Sequence, residues 1–115
     1  MADVLQLQSE KEWLQLLQSS KEQPVCVLKH STRCPISSAA YEQWNTYLDN
    51  SPNEAVDYAL VLVVEDRPVS NLIAETLDVT HESPQLIVVK QGKAVAHTSH
   101  WHITESKLNE LLSEV

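Results

Sequence analysis

Two continuous apolar runs on either side of a helical segment limit the fold of this chain more than any other feature. Residues 25–28 and 56–64 are rich in β-formers with little alternation, as in strands that are covered on both faces. The segment between them carries apolar residues at helical spacing and ends at the turn-forming residues 50–53. These apolar residues are Ile36, Ala40, Trp44, Tyr47 and Leu48. The pattern predicts a right-handed βαβ unit with two parallel central strands.

The segment before this unit predicts one strand and one helix. Apolar side chains among polar ones at residues 4–7 are typical of a short edge strand. Ser9 and Glu12 have the spacing of a capping box, which predicts a helix that ends near Ser20 and buries Trp13 on its inner face.

The segment after the unit contains two further helical patterns. Pro68 and Ser70 introduce a shorter helix that is expected to end near Val79. Thr104 has the position of an N-cap for a last helix, whose apolar stripe extends to Val115.

A β-hairpin is predicted between those two helices. Residues 85–90 and 93–97 have strand character, and Gln91 and Gly92 form a two-residue turn between them. The complete order is then β-α-β-α-β-α-β-β-α. This thioredoxin-like order predicts an α/β fold with a central mixed sheet, helices on both faces and a single domain over residues 1–115.

The charge and the apolar runs of the chain argue against several classes of partner. Sixteen acidic and 8 basic residues give a net charge of −8 without a basic block, so nucleic acid is not an expected partner. The apolar runs are far shorter than the roughly 20 residues that a membrane helix needs. Residues 1–6 lack the basic leader and the long apolar stretch of a secretion signal. We therefore expect a cytoplasmic protein that does not bind membranes. We also expect a monomer, although nothing in the sequence determines the oligomeric state.

Cys34 lies where the first central strand meets the helix, and Pro35 follows it as a suitable first helical residue. The N–H groups and the partial positive charge of a helix start stabilise a thiolate, which is the species that attacks disulfides. Arg33 adds a neighbouring cation, and His30 adds another whenever it is protonated. The sequence therefore predicts a reactive, partly exposed thiol at Cys34.

The chain offers Cys34 no obvious partner for an intramolecular disulfide. Ser37 occupies the position of the second cysteine of a dithiol oxidoreductase; its hydroxyl can donate a hydrogen bond to the Cys34 thiolate but cannot form a disulfide. Cys26 lies most of a strand length away at about 3.3 Å per residue, whereas a disulfide needs Cα atoms within about 7 Å. We expect Cys26 to be a small buried hydrophobe. The pattern favours a monothiol mechanism, in which Cys34 removes a small thiol from a mixed disulfide and is then freed by another small thiol or a reductase.

Ser83 and Pro84 come directly before a predicted strand, at a place that suits substrate binding. Most X–Pro bonds are trans, with only about 5–6% cis, but within the proposed fold we expect a cis Ser83–Pro84 bond. The Ser83 backbone then faces Cys34 and offers its N–H and C=O groups to an extended substrate segment. Pro35, Ser83 and Pro84 are the predicted substrate-binding residues.

Three histidines near Trp101 form an alternative candidate site. His97, His100 and His102 lie within six residues, but no nearby cysteine or well-spaced carboxylate completes a tetrahedral metal site. We expect neither a metal nor a bound cofactor. The favoured interpretation is a solvated strand end, with Trp101 packed on the last helix.

Four features occur together along the chain: the motif Cys34-Pro35-Ile36-Ser37, the pair Ser83-Pro84, the hairpin with the lone Gly92, and the His-rich region around Trp101. Together they resemble the monothiol bacilliredoxins of Gram-positive bacteria that use bacillithiol. The resemblance covers nearly the whole chain. Members commonly have Thr before the cysteine, whereas this chain has Arg33, which should strengthen the local positive charge.

The resemblance implies a thioredoxin-like fold and a specific thiol chemistry. Cys34 is implied to be the nucleophile, Pro84 the cis-proline, and Ser37 the residue that stands where other redoxins resolve. Bacillithiol is the implied thiol substrate, and bacillithiolated cytosolic proteins are the implied partners. The residues alone do not distinguish bacillithiol from glutathione or coenzyme A.

Two other functions agree with the same residues. In the first, the chain is a non-catalytic thioredoxin-like binding module, whose Ser83 edge captures a partner while Cys34 is incidental. In the second, it is a thiol peroxidase, a chemistry that also begins with an activated cysteine but needs donors around the peroxide. No motif for such donors is evident.

Overall fold

One mixed sheet of five strands lies at the centre of the fold, and four α-helices pack on it. The computed structural model describes residues 3–113 and residue 115. The elements are β1 (Val4–Gln6), α1 (Glu10–Ser19), β2 (Val25–His30), α2 (Pro35–Asp49), β3 (Asp57–Leu62), α3 (Arg67–Leu77), β4 (Gln85–Lys90), β5 (Lys93–Ser99), a 3₁₀ turn (His100–His102) and α4 (Glu105–Leu112). The predicted order is confirmed, with the 3₁₀ turn as an addition.

The strand order in the sheet is β1-β3-β2-β4-β5. β1 and β2 both pair with β3 in parallel, which confirms the predicted βαβ unit; β4 pairs antiparallel with β2, and β5 with β4. The last aligned pair of β2 and β4 is Lys29 with Gln85. The next residues along this register are His30 and Pro84, so the loop to Cys34 and the Pro84 loop leave the sheet side by side.

Helices cover both faces of the sheet, as predicted for this α/β class. α2 and α4 bury one apolar cluster against the sheet, and α1 and α3 bury a second cluster on the opposite face. Trp44 lies in the first cluster and Trp13 in the second, and both are buried. Because side chains alternate along a strand, Leu28 of β2 faces the first cluster and Val27 the second. No helix in the described residues is long and apolar enough to cross a bilayer.

Two helix boundaries differ from the predicted ones. α3 begins at Arg67 and ends at Leu77, because Asp78 adopts a left-handed conformation with φ 55° that terminates the helix before Val79. α4 ends at Leu112, three residues before Val115, although Val115 still packs beside the first cluster.

Two strand boundaries differ as well. β3 covers residues 57–62 and is therefore shorter than the apolar run 56–64. β5 extends two residues beyond His97, because Gln85 at the start of β4 pairs with Ser99. This extension brings the 3₁₀ turn directly beside Pro84.

Two local predictions hold in atomic detail. The Ser9 hydroxyl accepts a hydrogen bond from the N–H of Glu12 at 3.2 Å, which caps α1. Gln91 and Gly92 have φ values of 54° and 76°, as the two central residues of a type I′ hairpin turn require.

Candidate active site

Cys34 is the N-cap residue of α2, with extended φ and ψ angles of −114° and 123°. Pro35 follows at the start of the helix, where its missing N–H needs no partner. The N–H of Cys34 donates to the carbonyl of Ser31 at 3.4 Å, and its carbonyl accepts from the N–H of Ser38 at 3.0 Å. The thiol is partly exposed and forms no disulfide. A nucleophile at this position is accessible and close to the positive end of the helix dipole.

Arg33 is exposed beside Cys34, at the end of the turn that leaves β2. Its backbone N–H donates to the Ser31 hydroxyl at 3.4 Å. The one salt bridge within the described part of the chain joins Lys107 to Glu110, so no carboxylate neutralises the Arg33 guanidinium there. The stabilisation of the Cys34 thiolate by Arg33 stays a prediction.

Ser37 does not contact Cys34 in the way that the sequence predicted. Its side chain is completely buried, and its hydroxyl lies 2.7 Å from Nδ1 of His30 and accepts from the N–H of Ser31 at 2.9 Å. Among the described residues, no hydrogen bond connects Ser37 to Cys34. The reason is that the short loop folds back over the first turn of α2, which brings the Ser31 N–H to this hydroxyl. Ser37 thus fixes the loop that carries Cys34.

His30 is not a cation that supports the thiolate. It is only 6% exposed, and its ring stacks on Tyr41 with centroids 4.6 Å apart and planes 17° apart. Burial lowers the pKa of His30, while the hydrogen bond to Ser37 and the charge of Glu65 oppose this effect in part. His30 is therefore neutral at pH 7. The condition stated for His30, that it is protonated, is therefore not favoured at pH 7, and the sequence alone does not reveal that Tyr41 stacks on the ring.

Cys26 lies in the middle of β2, beside Tyr58 of β3 and Val88 of β4. It has no exposed surface, and burial raises the pKa of its thiol. Four strand residues separate it from the end of β2, which corresponds to about 13 Å. Cys26 is an inert core residue in this conformation.

The Ser83–Pro84 peptide bond is cis, the isomer expected at this position of the fold. Pro84 is buried, and its carbonyl accepts a hydrogen bond from the N–H of His100 at 3.0 Å. Ser83 is partly exposed, and its Oγ atom is buried without a hydrogen-bond partner in the described structure. The antiparallel register places Ser83 next to Ser31, at the base of the loop that carries Cys34.

The His-rich segment lies beside Pro84 and forms the third side of this region. The described residues contain no group of three His, Cys, Asp or Glu side chains that could hold a metal ion. Trp101 is 66% exposed and lines an open surface cleft with His102, Thr104 and Lys107. The predicted packing of Trp101 on the last helix was therefore wrong, because the 3₁₀ turn directs the indole outwards beside the start of α4.

Comparisons with known proteins agree with this geometry. The family model of the monothiol bacilliredoxin BrxC matches residues 5–108. The chain belongs to the monothiol bacilliredoxin family.

Solved structures support the fold assignment of this bacilliredoxin. A structure described as a candidate oxidoreductase with a thioredoxin fold is 34% identical, with a TM-score of 0.80, and the match covers 93% of this chain and 91% of the other. The thioredoxin of Fasciola hepatica is 21% identical, with a TM-score of 0.72 and coverages of 95% and 96%. The thioredoxin NaTrxh of Nicotiana alata is 20% identical, with a TM-score of 0.76 and coverages of 98% and 92%. The fold is thioredoxin-like, and the family assignment supports thiol oxidoreductase chemistry.

Three polar residues near the bacilliredoxin site were not predicted from the sequence. Lys29 and Gln85 are completely buried at facing positions of β2 and β4, and both contact the loop before Pro84. His81 is the member of that loop that Lys29 contacts. One signal was present: the alternation along β2 places Lys29 on the same inward face as Val25 and Val27, where a charged side chain is unusual.

Proposed function

We propose that this bacilliredoxin is a monothiol thiol–disulfide oxidoreductase that removes bacillithiol, or a similar low-molecular-weight thiol, from protein mixed disulfides. The observation that carries the proposal is the partly exposed, unbridged Cys34 at the start of α2. The hydroxyl of Ser37 stands where a dithiol enzyme carries its second thiol, and the thiol of Cys26 is sealed in the core. A first exchange at Cys34 therefore leaves a mixed disulfide that needs an external thiol.

The reaction consists of two exchanges, each of which forms one S–S bond and breaks another. In the first, the Cys34 thiolate attacks the sulfur of the small thiol in the mixed disulfide, and the client cysteine leaves as a thiolate. In the second, the thiolate of another small thiol attacks the same sulfur and releases Cys34 as a thiolate. The product is the disulfide of the two small thiols, so no other oxidant or reductant is consumed.

Substrate binding is assigned to the edge formed by Pro35, Ser83 and Pro84. Pro35 is exposed beside the thiol, and Ser83 is partly exposed before the cis bond. A client segment in extended conformation can pair with the Ser83 backbone and so present its mixed disulfide to Cys34. Shape and backbone hydrogen bonds then provide binding that tolerates different client sequences.

The family assignment supports our proposals for the small thiol and for the location. We propose bacillithiol as the small thiol because the monothiol bacilliredoxin family model matches residues 5–108 of this chain. Bacillithiolated cytosolic proteins are the proposed clients, and a cytoplasmic monomer is the proposed form. No bound cofactor takes part in either exchange.

A bacillithiolated client protein tests the proposal directly. The client is incubated with the wild-type chain, with Cys34→Ala and with the matched control Cys26→Ala, and the adducts are followed by mass spectrometry. We expect bacillithiol to move from the client to Cys34 in the wild type and in Cys26→Ala, with no transfer in Cys34→Ala. Equal release by the wild type and Cys34→Ala would overturn the proposal.

The alkylation of Cys34 by iodoacetamide distinguishes the competing functions. A bacilliredoxin thiol at this helix start is expected to react at pH 7 about tenfold faster than an unstructured peptide thiol. A rate equal to that of the peptide favours the binding module. Rapid formation of sulfenic acid at Cys34 with hydrogen peroxide, in the absence of bacillithiol transfer, favours the peroxidase.

The role proposed for Arg33 has its own test. Arg33→Gln is expected to slow alkylation about twofold at low salt, because an exposed cation stabilises the thiolate only weakly. The difference should vanish at high salt, where the charge is screened. A salt-independent difference would show that Arg33 acts through the loop conformation instead.

A further inference from the structure

A buried polar cluster lies on the face of the sheet opposite to Cys26 and His30. Its centre is the pair Lys29 and Gln85, which are directly opposite each other on β2 and β4 and have no exposed surface. Lys29 shares the face of the sheet that α1 and α3 cover. The exchange chemistry of Cys34 does not use either side chain.

Both buried side chains reach the loop that leads from α3 to the cis-proline. The ammonium of Lys29 donates to the carbonyl of Ser70 in α3 at 3.1 Å and contacts Nδ1 of His81 at 3.1 Å. The amide of Gln85 donates to the carbonyl of Thr80 at 3.0 Å. Two consecutive loop residues are thus held by two facing strand residues, three to four positions before Pro84.

The charge of Lys29 makes this arrangement costly for folding. No salt bridge to Lys29 occurs in the described structure, and burial lowers the pKa of its ammonium group to about 8. An apolar side chain of similar volume would avoid that desolvation. Stability alone therefore does not account for the lysine, whereas its donors fit the two acceptors in α3 and the loop.

We propose that Lys29 and Gln85 are positioning residues that hold the loop of residues 80–84, and with it the Ser83 backbone, in the orientation that binds client segments. This inference rests on the proposed function. Lys29 also lies on the strand that continues into the Cys34 loop, so one strand sets the position of both sides of the site. Small reagents that react with Cys34 without using the Ser83 edge do not depend on this contact.

The contact between Lys29 and His81 makes the loop sensitive to pH. Nδ1 of His81 can accept from the ammonium only while the imidazole is neutral. His81 is influenced by Lys29 of β2, Arg67 of α3 and Glu82 of its own loop; burial, followed by Lys29 and Arg67, lowers its pKa below 6.5, and Glu82 opposes them. When the pH falls below the pKa of His81, the protonated imidazole and the Lys29 ammonium are two cations that face each other. The contact between Lys29 and His81 then weakens.

Lys29→Met tests the proposal, with exposed Lys90→Met as the matched control. We expect Lys29→Met to raise KM for a bacillithiolated client about tenfold while kcat and the rate of iodoacetamide alkylation stay within about twofold. Lys90→Met should leave all three unchanged. His81→Leu removes the acceptor at an exposed position without changing the sheet, and it should raise KM in the same direction even if Lys29→Met folds poorly.

A titration of His81 by NMR provides a readout that does not require turnover. The pKa of His81 should rise in Lys29→Met and stay unchanged in Lys90→Met, because a neighbouring cation has been removed. An unchanged His81 titration, or a parallel loss of alkylation and client turnover in His81→Leu, would overturn the positioning role. If the wild type releases no bacillithiol, the proposed function fails, and the His81 titration then decides whether Lys29 holds the loop.

Discussion

Lys29 and His30 are consecutive residues of β2 that leave the strand on opposite faces, and each supports one side of the candidate site. His30 contacts Ser37 and thereby the loop of Cys34, whereas Lys29 contacts His81 and thereby the loop of Pro84. Both are buried, and burial lowers both pKa values, so His30 is mainly neutral at pH 7 whereas Lys29, with a pKa of about 8, is still mainly charged. The nucleophile side is therefore held by neutral hydrogen bonds, whereas the substrate side is held by the neutral bond from Gln85 to Thr80 and by the contact of the charged Lys29 with His81.

This difference has a consequence for how the two sides respond to pH. Neutral networks that satisfy their donors and acceptors do not change between pH 7 and pH 9. The substrate side also contains Oε1 of Gln85, which is buried without a hydrogen-bond partner in the described residues. Changes of pH in this range should therefore affect the substrate side more than the nucleophile side.

The largest expected effect is on the pH dependence of stability at Lys29. Its pKa is about 8 in the folded chain and about 10.5 in the unfolded chain. Burying the charged lysine therefore lowers the free energy of unfolding, and this cost is lost as the pH rises from 8 to 10.5. The free energy of unfolding of the wild type minus that of Lys29→Met should therefore increase by about 2 kcal/mol between pH 7 and pH 10. Urea unfolding at each pH measures the difference.

Two other groups act in the opposite direction but cancel in that comparison. Burial raises the pKa values of Cys26 and Tyr58, so stability falls as the pH rises above their ordinary values. Both groups are present in the wild type and in Lys29→Met. The exposed control Lys90→Met should show a constant difference from the wild type; a constant difference for Lys29→Met as well would mean that the lysine is not desolvated.

The next largest effect is expected on the nucleophile side, at Ser37. Ser37→Ala removes the acceptor of the Ser31 N–H and the partner of His30. Loss of these hydrogen bonds should lower the free energy of unfolding by about 1.5 kcal/mol. Ser38→Ala is the matched control because Ser38 is the next residue and is exposed.

The activity of Ser37→Ala sharpens the comparison between the two sides. Loss of the loop anchor should reduce alkylation of Cys34 and client turnover together, since the loop that holds the nucleophile becomes less ordered. Lys29→Met, in contrast, should affect client binding alone. A variant of Ser37 that changes only KM would place this residue on the substrate side and contradict the assignment.

The fold and the nucleophile could be predicted from the sequence because local patterns encode them. The apolar run of β2, the Cys34-Pro35 helix start and the Gln91-Gly92 turn each depend on neighbouring residues. The contacts of Lys29 could not be predicted, because they join residues 41 and 52 positions apart in the chain. The periodicity of a strand shows which face a side chain lies on, but it does not show which acceptors that side chain will hydrogen-bond to.

The state of His30 illustrates the same limit at shorter range. Its position before Cys34 indicated a cation near the thiolate, and the residue types alone agreed with that interpretation. In the structure the ring is buried and stacks on Tyr41, which lies in the second turn of α2. Trp101 is the converse case, since an aromatic residue expected to pack is exposed by the 3₁₀ turn.

The smallest expected effect concerns the ring pair of His30 and Tyr41. Tyr41→Leu removes a stacked aromatic contact, which should lower the free energy of unfolding by about 1 kcal/mol, whereas Tyr41→Phe keeps the ring and should cost much less.

Because the lowered pKa of His30 results mainly from burial, NMR should show that this pKa rises in Tyr41→Leu and stays low in Tyr41→Phe. Stability of the wild type should decrease as the pH falls below 6.5, where the unfolded histidine takes up its proton first, and this decrease should be smaller in Tyr41→Leu. An equal decrease in both variants would show that Tyr41 does not keep His30 neutral.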